Sequence, residues 1–325
     1  MIVQKYVAIA LILFFLIPQA HGGYLSPELK ASLVDKADGE MVVVWIALPQ
    51  PPAIENLKSM SFSTDKLTAH RQKLETLKSN HSSAQADLIT NLKELEAERL
   101  ASDIRGFWIT NIVRAKVAVG SLSDLAARSD IEMIYAVPRI KAVGAEAAVD
   151  DLALSPNADS VAGHLTYTKA DQAWSAGFTG AGRIICTFDS GIKGDHPGLA
   201  GNWKGNDGNW QAAWFDPVGK DSVPHLLEGS GARDHGTWTL GVAVGNDPTI
   251  GYKVGVAPDA KWISAACIEL PSGGSNNNHA ILEAFEWAAD PDGDPNTVAD
   301  RPDVINHSWG FDRIAFQINC EDIFF

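Results

Sequence analysis

An α/β protein with a parallel sheet, preceded by a smaller α+β domain of ferredoxin-like type, is the fold this sequence predicts. After residue 170, short apolar runs ending in polar residues alternate with helical stretches, the rhythm of a parallel sheet covered by helices. Before residue 145 the order reads strand, helices, strand, helix, strand. Composition agrees. The 325 residues are 46% apolar and 20% charged, which suits globular structure and excludes a disordered or collagen-like chain. That length has room for about two domains.

Charge and cysteine usage narrow the function classes. Forty acidic residues face 26 basic ones, a net charge of −14. Such a chain has no electrostatic reason to seek nucleic acid or an anionic membrane surface. Its three cysteines, Cys186, Cys267 and Cys320, form no CxxC pair. They make neither a disulfide scaffold nor the usual cysteine zinc site. Cys186 and Cys267 lie in apolar strand-like runs and read as buried free thiols. The histidines contain no His-x-x-x-His pair, so zinc is unsupported.

Residues 1–23 read as a secretory signal peptide. Lys5 supplies the positive region, Tyr6 to Ile17 is almost wholly apolar, Pro18 breaks it, and Ala20-His21-Gly22 offers a cleavage site. The apolar run is too short for a membrane span, which needs ~20 residues. The mature chain is expected to be soluble, secreted or otherwise outside the cytoplasm, and free of the membrane once the signal is removed.

Residues 24–145 form the first domain. Met41 to Ile46 is a β-branched run stopped by Pro49, Pro51 and Pro52, a buried strand. Asp65 to Ser102 is helical in rhythm. Leu74 and Leu77 mark one stripe, and Leu88, Leu92 and Leu95 mark another. Ser79-Asn80-His81-Ser82 is expected to split it into two helices. The heptads are not sustained enough for a coiled coil. Phe107 to Ile112 reads as a strand continued by Lys116 to Val119, Asp124 to Arg128 as a short helix, and Ile134 to Val137 as a further strand.

Residues 146–325 form the second domain. Ala145 to Gly163 is a linker rich in Ala, Asp and Ser. Asp171 to Ser175 is a short helix closed by Gly177, and Thr179 to Gly182 is a turn. Arg183 to Phe188 is a strand that ends at Asp189. Ala260 to Ile268 is another. Ile281 to Ala289 is a helix with Ile281, Leu282 and Phe285 inward and Glu283 and Glu286 outward. Val304 to Asn306 is a last short strand.

The chemistry-bearing motifs sit at strand ends. Ile184 to Phe188 runs straight into Asp189-Ser190-Gly191. In a parallel sheet the carboxyl ends of strands are where ligands bind, which places Asp189 as an active-site carboxylate. Asp-Ser-Gly is equally a common turn, and a capping Asp is the other reading. Asp234-His235-Gly236-Thr237 puts an imidazole at a helix start. His235 there is either a general base, if a carboxylate orients it, or a loop residue that caps. Gly255-Val256-Ala257-Pro258 reads as a structural turn. Asp303-Val304-Ile305-Asn306-His307-Ser308-Trp309-Gly310 is a buried strand ending in bare backbone that can accept an extended peptide by strand addition. Asp290-Pro291-Asp292-Gly293-Asp294-Pro295-Asn296 begins like a calcium loop. Pro295 and Arg301 stand where Gly and Glu are required, so a solvated acidic loop is expected.

Taken together in this order, these motifs resemble the subtilisin-like serine peptidases (peptidase family S8), in pattern nearest the bacillopeptidase F-like branch. Asp189 matches the family's Asp-Ser/Thr-Gly motif and His235 its His-Gly-Thr motif. Gly255 to Pro258 matches the turn that follows. Cys267 to Ser275, with Gly273 and Gly274, resembles the strand and loop that wall the substrate cleft. Ser308-Trp309-Gly310 matches the segment whose backbone lines the S1 pocket. The first domain is similar to the family's inhibitory propeptide, with Phe107 to Asn111 and Asp130 to Ile134 fitting its strands and helix end. The resemblance implies a serine endopeptidase precursor acting on polypeptides by acyl transfer. It implies no cofactor, and it allows a structural calcium without locating one.

The departures matter as much. The family's nucleophilic serine lies in a Gly-Thr-Ser-x-Ala motif after the segment matched by Gly310, and no such motif occurs here. The Ala-Gly-Asn-type stretch that supplies the oxyanion asparagine is missing from the same region. Ser308 and Asn306 are not substitutes. Trp238 replaces a histidine and is expected to affect packing near His235. The expectation is a chain truncated before its nucleophile and catalytically silent, with apolar sheet surface left uncovered. The rival expectation is a non-catalytic inhibitor or chaperone whose first domain occupies another protease's cleft.

Overall fold

A computed structural model of the chain describes residues 22–55, 57, 63–137, 140–142, 161–227, 230, 232, 234–268 and 279–311. The apolar leader, the 145–160 part of the linker, Gly273, Gly274 and Cys320 lie outside the described residues.

The first unit comprises β1 (Tyr24–Leu25), α1 (Pro27–Ser32), β2 (Met41–Ala47), α2 (Pro52–Glu55), α3 (Lys66–Ala97), β3 (Ala101–Phe107), β4 (Ile112–Ala118), α4 (Leu122–Ala126), β5 (Met133–Ala136) and β6 (Ile140–Ala142). Its sheet has the order β1-β5-β2-β4-β3. Without the short parallel edge strand β1, the succession β2-α3-β3-β4-α4-β5 is a split βαβ with β2 and β4 central, the ferredoxin-like winding the sequence predicts. Strand alternation gives the sheet two faces. Val44 and Ile46 pack with Leu88 and Leu92 of α3. Trp45, Phe107 and Tyr135 turn the other way, into a core shared with the second unit.

Two expectations fail here. The helix is not split at 79–82; α3 is continuous for 32 residues. Asp65 caps it through the Thr68 amide at 2.8 Å, a contact worth ~1 kcal/mol. Ser79 and Asn80 do not unwind it, because both side chains bond back to the Thr76 carbonyl, at 3.4 and 2.8 Å. The polar residues that looked like a break instead grip the β3–β4 turn. His81 Nδ1 lies 2.8 Å from the Trp108 carbonyl, and Gln85 donates to the Phe107 carbonyl at 2.9 Å. The second failure follows from the first. Residues 108–111 are that turn, not a strand. The strand is Ala101–Phe107, whose polar Ser102-Asp103 and bulge before Arg105 hid it.

The second unit comprises α5 (Gly163–Tyr167), α6 (Ala170–Ser175), β7 (Ile184–Asp189), β8 (Trp214–Phe215), α7 (His235–Val244), β9 (Asn246–Asp247), β10 (Tyr252–Lys253), β11 (Lys261–Ala266), α8 (Ala280–Ala289), β12 (Val304–His307) and β13 (Trp309–Phe311). Its sheet runs β12-β7-β11-β8 with every pairing parallel. Cys186 and Cys267 are buried free thiols, as expected, and burial pushes both well up in pKa. Val304, on the outer strand β12, is 58% exposed.

The units meet over α8. Glu283 and Glu286 point away from the parallel sheet but not into solvent. Arg105 of β3 bonds to both, and Glu286 accepts the Trp108 amide at 2.6 Å. Burial raises both carboxyl pKa values, and Arg105 partly offsets it for each. The acidic loop is likewise not simply solvated. Asp290 and Asp300 are buried. Lys78 of α3 pairs with Asp290 at 3.1 Å and Arg71 reaches Asn296 at 3.3 Å. Arg301 donates to His70 Nδ1 at 3.1 Å.

Burial lowers the pKa of both His70 and His81 from the ordinary value near 6.5, and Arg301 lowers that of His70 further. The folded state therefore favours the neutral rings. Below about pH 6.5 the unfolded chain binds more protons, and stability is lost as pH falls. The thermal midpoint should drop on acidification through that range. The double variant His70→Gln/His81→Gln, which keeps an acceptor for Arg301 at 70 and a donor for the Trp108 carbonyl at 81, should show a shallower drop in calorimetry across the same pH series.

Candidate active site

β7 is hydrogen-bonded on both sides, with Asp189 at its last position opposite Ala266. The chain beyond β11 turns back to hold that end. The Cys267 and Ile268 amides donate to the Asp189 carbonyl at 2.9 and 3.1 Å. The Asp189 backbone is thus fixed before its side chain makes any contact.

The carboxylate is 1% exposed and saturated with donors. Oδ1 accepts the Ser190 amide at 2.7 Å and lies 2.8 Å from His235 Nδ1. Oδ2 accepts the Thr239 hydroxyl at 3.0 Å. Asp189 thus has two engagements. It closes a turn through Ser190, and it faces an imidazole. His235 opens α7 and is 5% exposed. A carboxylate on Nδ1–H selects the tautomer in which Nε2 is the basic nitrogen, the arrangement of a general base with its orienting group.

Two glycines and a serine make this approach feasible. Gly191 has φ +108°, a left-handed conformation that side chains resist. A Cβ on Gly236 would run into the Gly191 carbonyl and stand 3.0 Å from Asp189 Cβ. Ser190 ties the two segments together. Its hydroxyl donates to the Ala232 carbonyl and accepts the Gly236 amide at 3.4 Å. Gly255 to Ala257 is structural, as expected. Its amides donate to the carbonyls of Gly245, Val242 and Ala243 near the end of α7. Trp238 stands 52% exposed, and the Asp189–His235 contact is formed beside it.

Ser308, Trp309 and Gly310 follow β12. Asn306 Nδ2 donates to Ser308 Oγ at 2.9 Å. The backbone expected to receive an extended peptide already carries one. β13 pairs antiparallel with β6, Trp309 opposite Ala142 and Gly310 opposite Lys141. Asn306 is a β12 residue opposite Thr187, a structural position.

Sequence reasoning gave no role to Thr239 or to the group Asp216, Asp221 and His225. Thr239 was legible in principle, since it stands four residues after His235 and shares its helix face. The other three lie in a loop without a period. Their ligand atoms all lie within 4.8 Å of one another. His225 Nε2 is 3.8 Å from Asp216 and 3.6 Å from Asp221. Calcium takes about six to eight oxygen ligands, and two carboxylates with an imidazole nitrogen are not that set. The carboxylates of the 290–300 loop are engaged by backbone amides, Thr297 and Lys78. Among the described residues, no helix is long and apolar enough to cross a membrane.

Comparison with known proteins finds relatives in sequence. Residues 180–319 match the subtilase family. Bacillopeptidase F of Bacillus subtilis is 24% identical over 306 residues, covering 88% of this chain and 21% of its own. Minor extracellular protease Vpr of the same organism is 26% identical over 319 residues, covering 94% of this chain and 36% of its own. The chain thus spans about a fifth to a third of these curated relatives. Among solved structures, fervidolysin from Fervidobacterium pennivorans, a keratinolytic enzyme related to subtilisin, aligns with a TM-score of 0.44 at 16% identity, over 89% of this chain and 38% of its own.

Gly236→Ala tests the close approach of strand end and helix start. The added methyl has backbone as its obstacle, so the helix must shift. The expected outcome is a loss of ~1–3 kcal/mol in denaturant unfolding, with loss of the low-field His235 Nδ1–H proton resonance.

Proposed function

We propose, from the premise that residues 180–319 belong to the subtilase family, that this chain carries the Asp–His half of a serine endopeptidase site under its own N-terminal cover. The observation that carries this is the buried 2.8 Å contact of His235 Nδ1 with Asp189. In the reaction such a pair serves, His235 Nε2 takes the proton of a serine hydroxyl as that oxygen attacks the peptide carbonyl. Asp189 holds the tautomer and stabilises the imidazolium. His235 then gives the proton to the leaving amine, and water releases the acyl group.

These 325 residues contain no Gly-Thr-Ser-x-Ala motif. Removing the nucleophile of such a triad costs ~10⁶ in kcat. By themselves, then, these residues do not hydrolyse peptides. Ser308 to Gly310 is the binding edge for an extended polypeptide, and the family resemblance assigns Gly273 and Gly274 to substrate binding as well. The proposed organisation is a leader over 1–23, an inhibitory propeptide-like domain over 24–145 and part of a peptidase domain over 146–325. Secretion is supported by the leader and by the name of one relative, an extracellular protease.

The β6–β13 pairing also favours a second reading, in which the N-terminal domain inhibits another subtilisin-like protease by the same strand addition. Two measurements separate the readings. A serine-directed fluorophosphonate probe should leave the purified chain unlabelled, and labelling would overturn the silent-chain assignment. Inhibition of a subtilisin by residues 24–145 at micromolar concentration supports the second reading, and its absence removes it.

A further inference from the structure

The carboxylate of Asp189 has two oxygens with unequal duties. Oδ1 receives both the Ser190 amide and His235 Nδ1. Oδ2 receives Thr239 Oγ1 at 3.0 Å. Among the described residues, Thr239 is the one side chain that donates to Oδ2. The same hydroxyl lies 3.1 Å from the Gly236 carbonyl, its own i−3 position. It has one proton for two acceptors. A hydrogen bond to a carboxylate is roughly twice as strong as one to a neutral carbonyl, so Asp189 holds the proton.

We propose that Thr239 is a positioning residue for the catalytic pair, its hydroxyl fixing the plane of the Asp189 carboxylate and setting the basicity of His235. The inference rests on the Asp–His reading above and deepens it. Two donors on one oxygen leave the carboxylate able to rotate about its Cβ–Cγ bond. A third donor on the second oxygen removes that freedom. It also withdraws charge. Without the hydroxyl, a buried oxygen loses its partner and the negative charge is less compensated. The neighbouring imidazolium is then better stabilised, and His235 becomes more basic. The position suits the task. Thr239 lies one helical turn after His235, so α7 presents the base and its carboxylate's clamp on one face.

The test uses the full chain and reads the His235 ring proton by NMR titration, assigned by its loss in His235→Gln. Thr239→Val keeps the shape and removes the hydroxyl. Its His235 midpoint should rise by about half a pH unit, roughly threefold in proton affinity. Thr239→Ser, which restores the hydroxyl, should titrate like the parent. A Thr239→Val midpoint that is unchanged or lower overturns the proposal, as does a Thr239→Ser shift equal to that of Thr239→Val. Thermal unfolding confirms that each variant is folded, and Thr239→Ala replaces Thr239→Val if the latter is not. Asp189→Asn keeps the two failures apart. If it leaves the His235 midpoint in place, the Asp–His reading itself fails, whatever Thr239 does.

Discussion

The Asp189 carboxylate is placed by the pairing of β7, which lies between β11 and β12 with no free edge along most of its length. Side chains of a strand alternate between faces, so a slip of one residue would carry Asp189 to the opposite side of the sheet. Pairing on both sides and the amides of Cys267 and Ile268 on the Asp189 carbonyl forbid that slip. α7 is then brought to the fixed carboxylate rather than the reverse. Ser190 ties the residues just before the helix to the strand end, and Gly236 removes the side chain that would hold them apart. His235 reaches Asp189 because two backbone segments touch, with little side-chain adjustment.

The cover over α8 obeys a different rule. Trp45, Phe107 and Tyr135 share one apolar core with Ile281, Leu282 and Ala284. Burial of this kind is non-directional and supplies most of the attraction. The polar contacts around it supply register. Trp45 Nε1 and Tyr135 Oη find no hydrogen-bond partner among the described residues, each a cost of ~1–3 kcal/mol. Glu283 and Glu286 are tolerable under the sheet because Arg105 accompanies them. The Arg105 side chain is 46% exposed, and ion pairs with a solvated partner add little net stability. Arg105 therefore selects this docking over others more than it tightens it. Lys78 on Asp290 holds the N-terminal half of α3 in the same way.

Much of this was legible from residue order. The parallel sheet, the strand ending at Asp189, the helix opening at His235 and the structural turn at Gly255 all come from local patterns, because apolar runs and glycines are decided within a few residues. What was misread depended on partners distant in sequence. Ser79 to Ser82 read as a helix break because nothing local shows that His81 faces the Trp108 carbonyl. Ser102 read as the end of a helix and the residues up to Gly106 as no element, because the bulged strand there buries little of its own. Glu283 and Glu286 were placed outward correctly with respect to their own sheet, but a sequence does not display the second domain that covers them. The Asp216, Asp221 and His225 group has no periodicity to betray it.

The pairing of β6 with β13 is short, three residues on each side. Three ladder positions in isolation would not hold a peptide. They hold here because β6 belongs to the same chain as a sheet already docked on α8, so the strand arrives at an effective concentration of about millimolar rather than from free solution. A competing polypeptide meets the same hydrogen-bonding edge with no such advantage, and must first displace a segment that returns each time it leaves. The strength of the docking thus resides in the apolar core of Trp45 and Tyr135, which runs on to Ile140 of β6 and Trp309 beside it, while the strand pairing itself adds little. On the proposed reading, weak pairing at the edge and firm apolar docking around it would let the N-terminal unit exclude other chains without any single bond at β13 being strong.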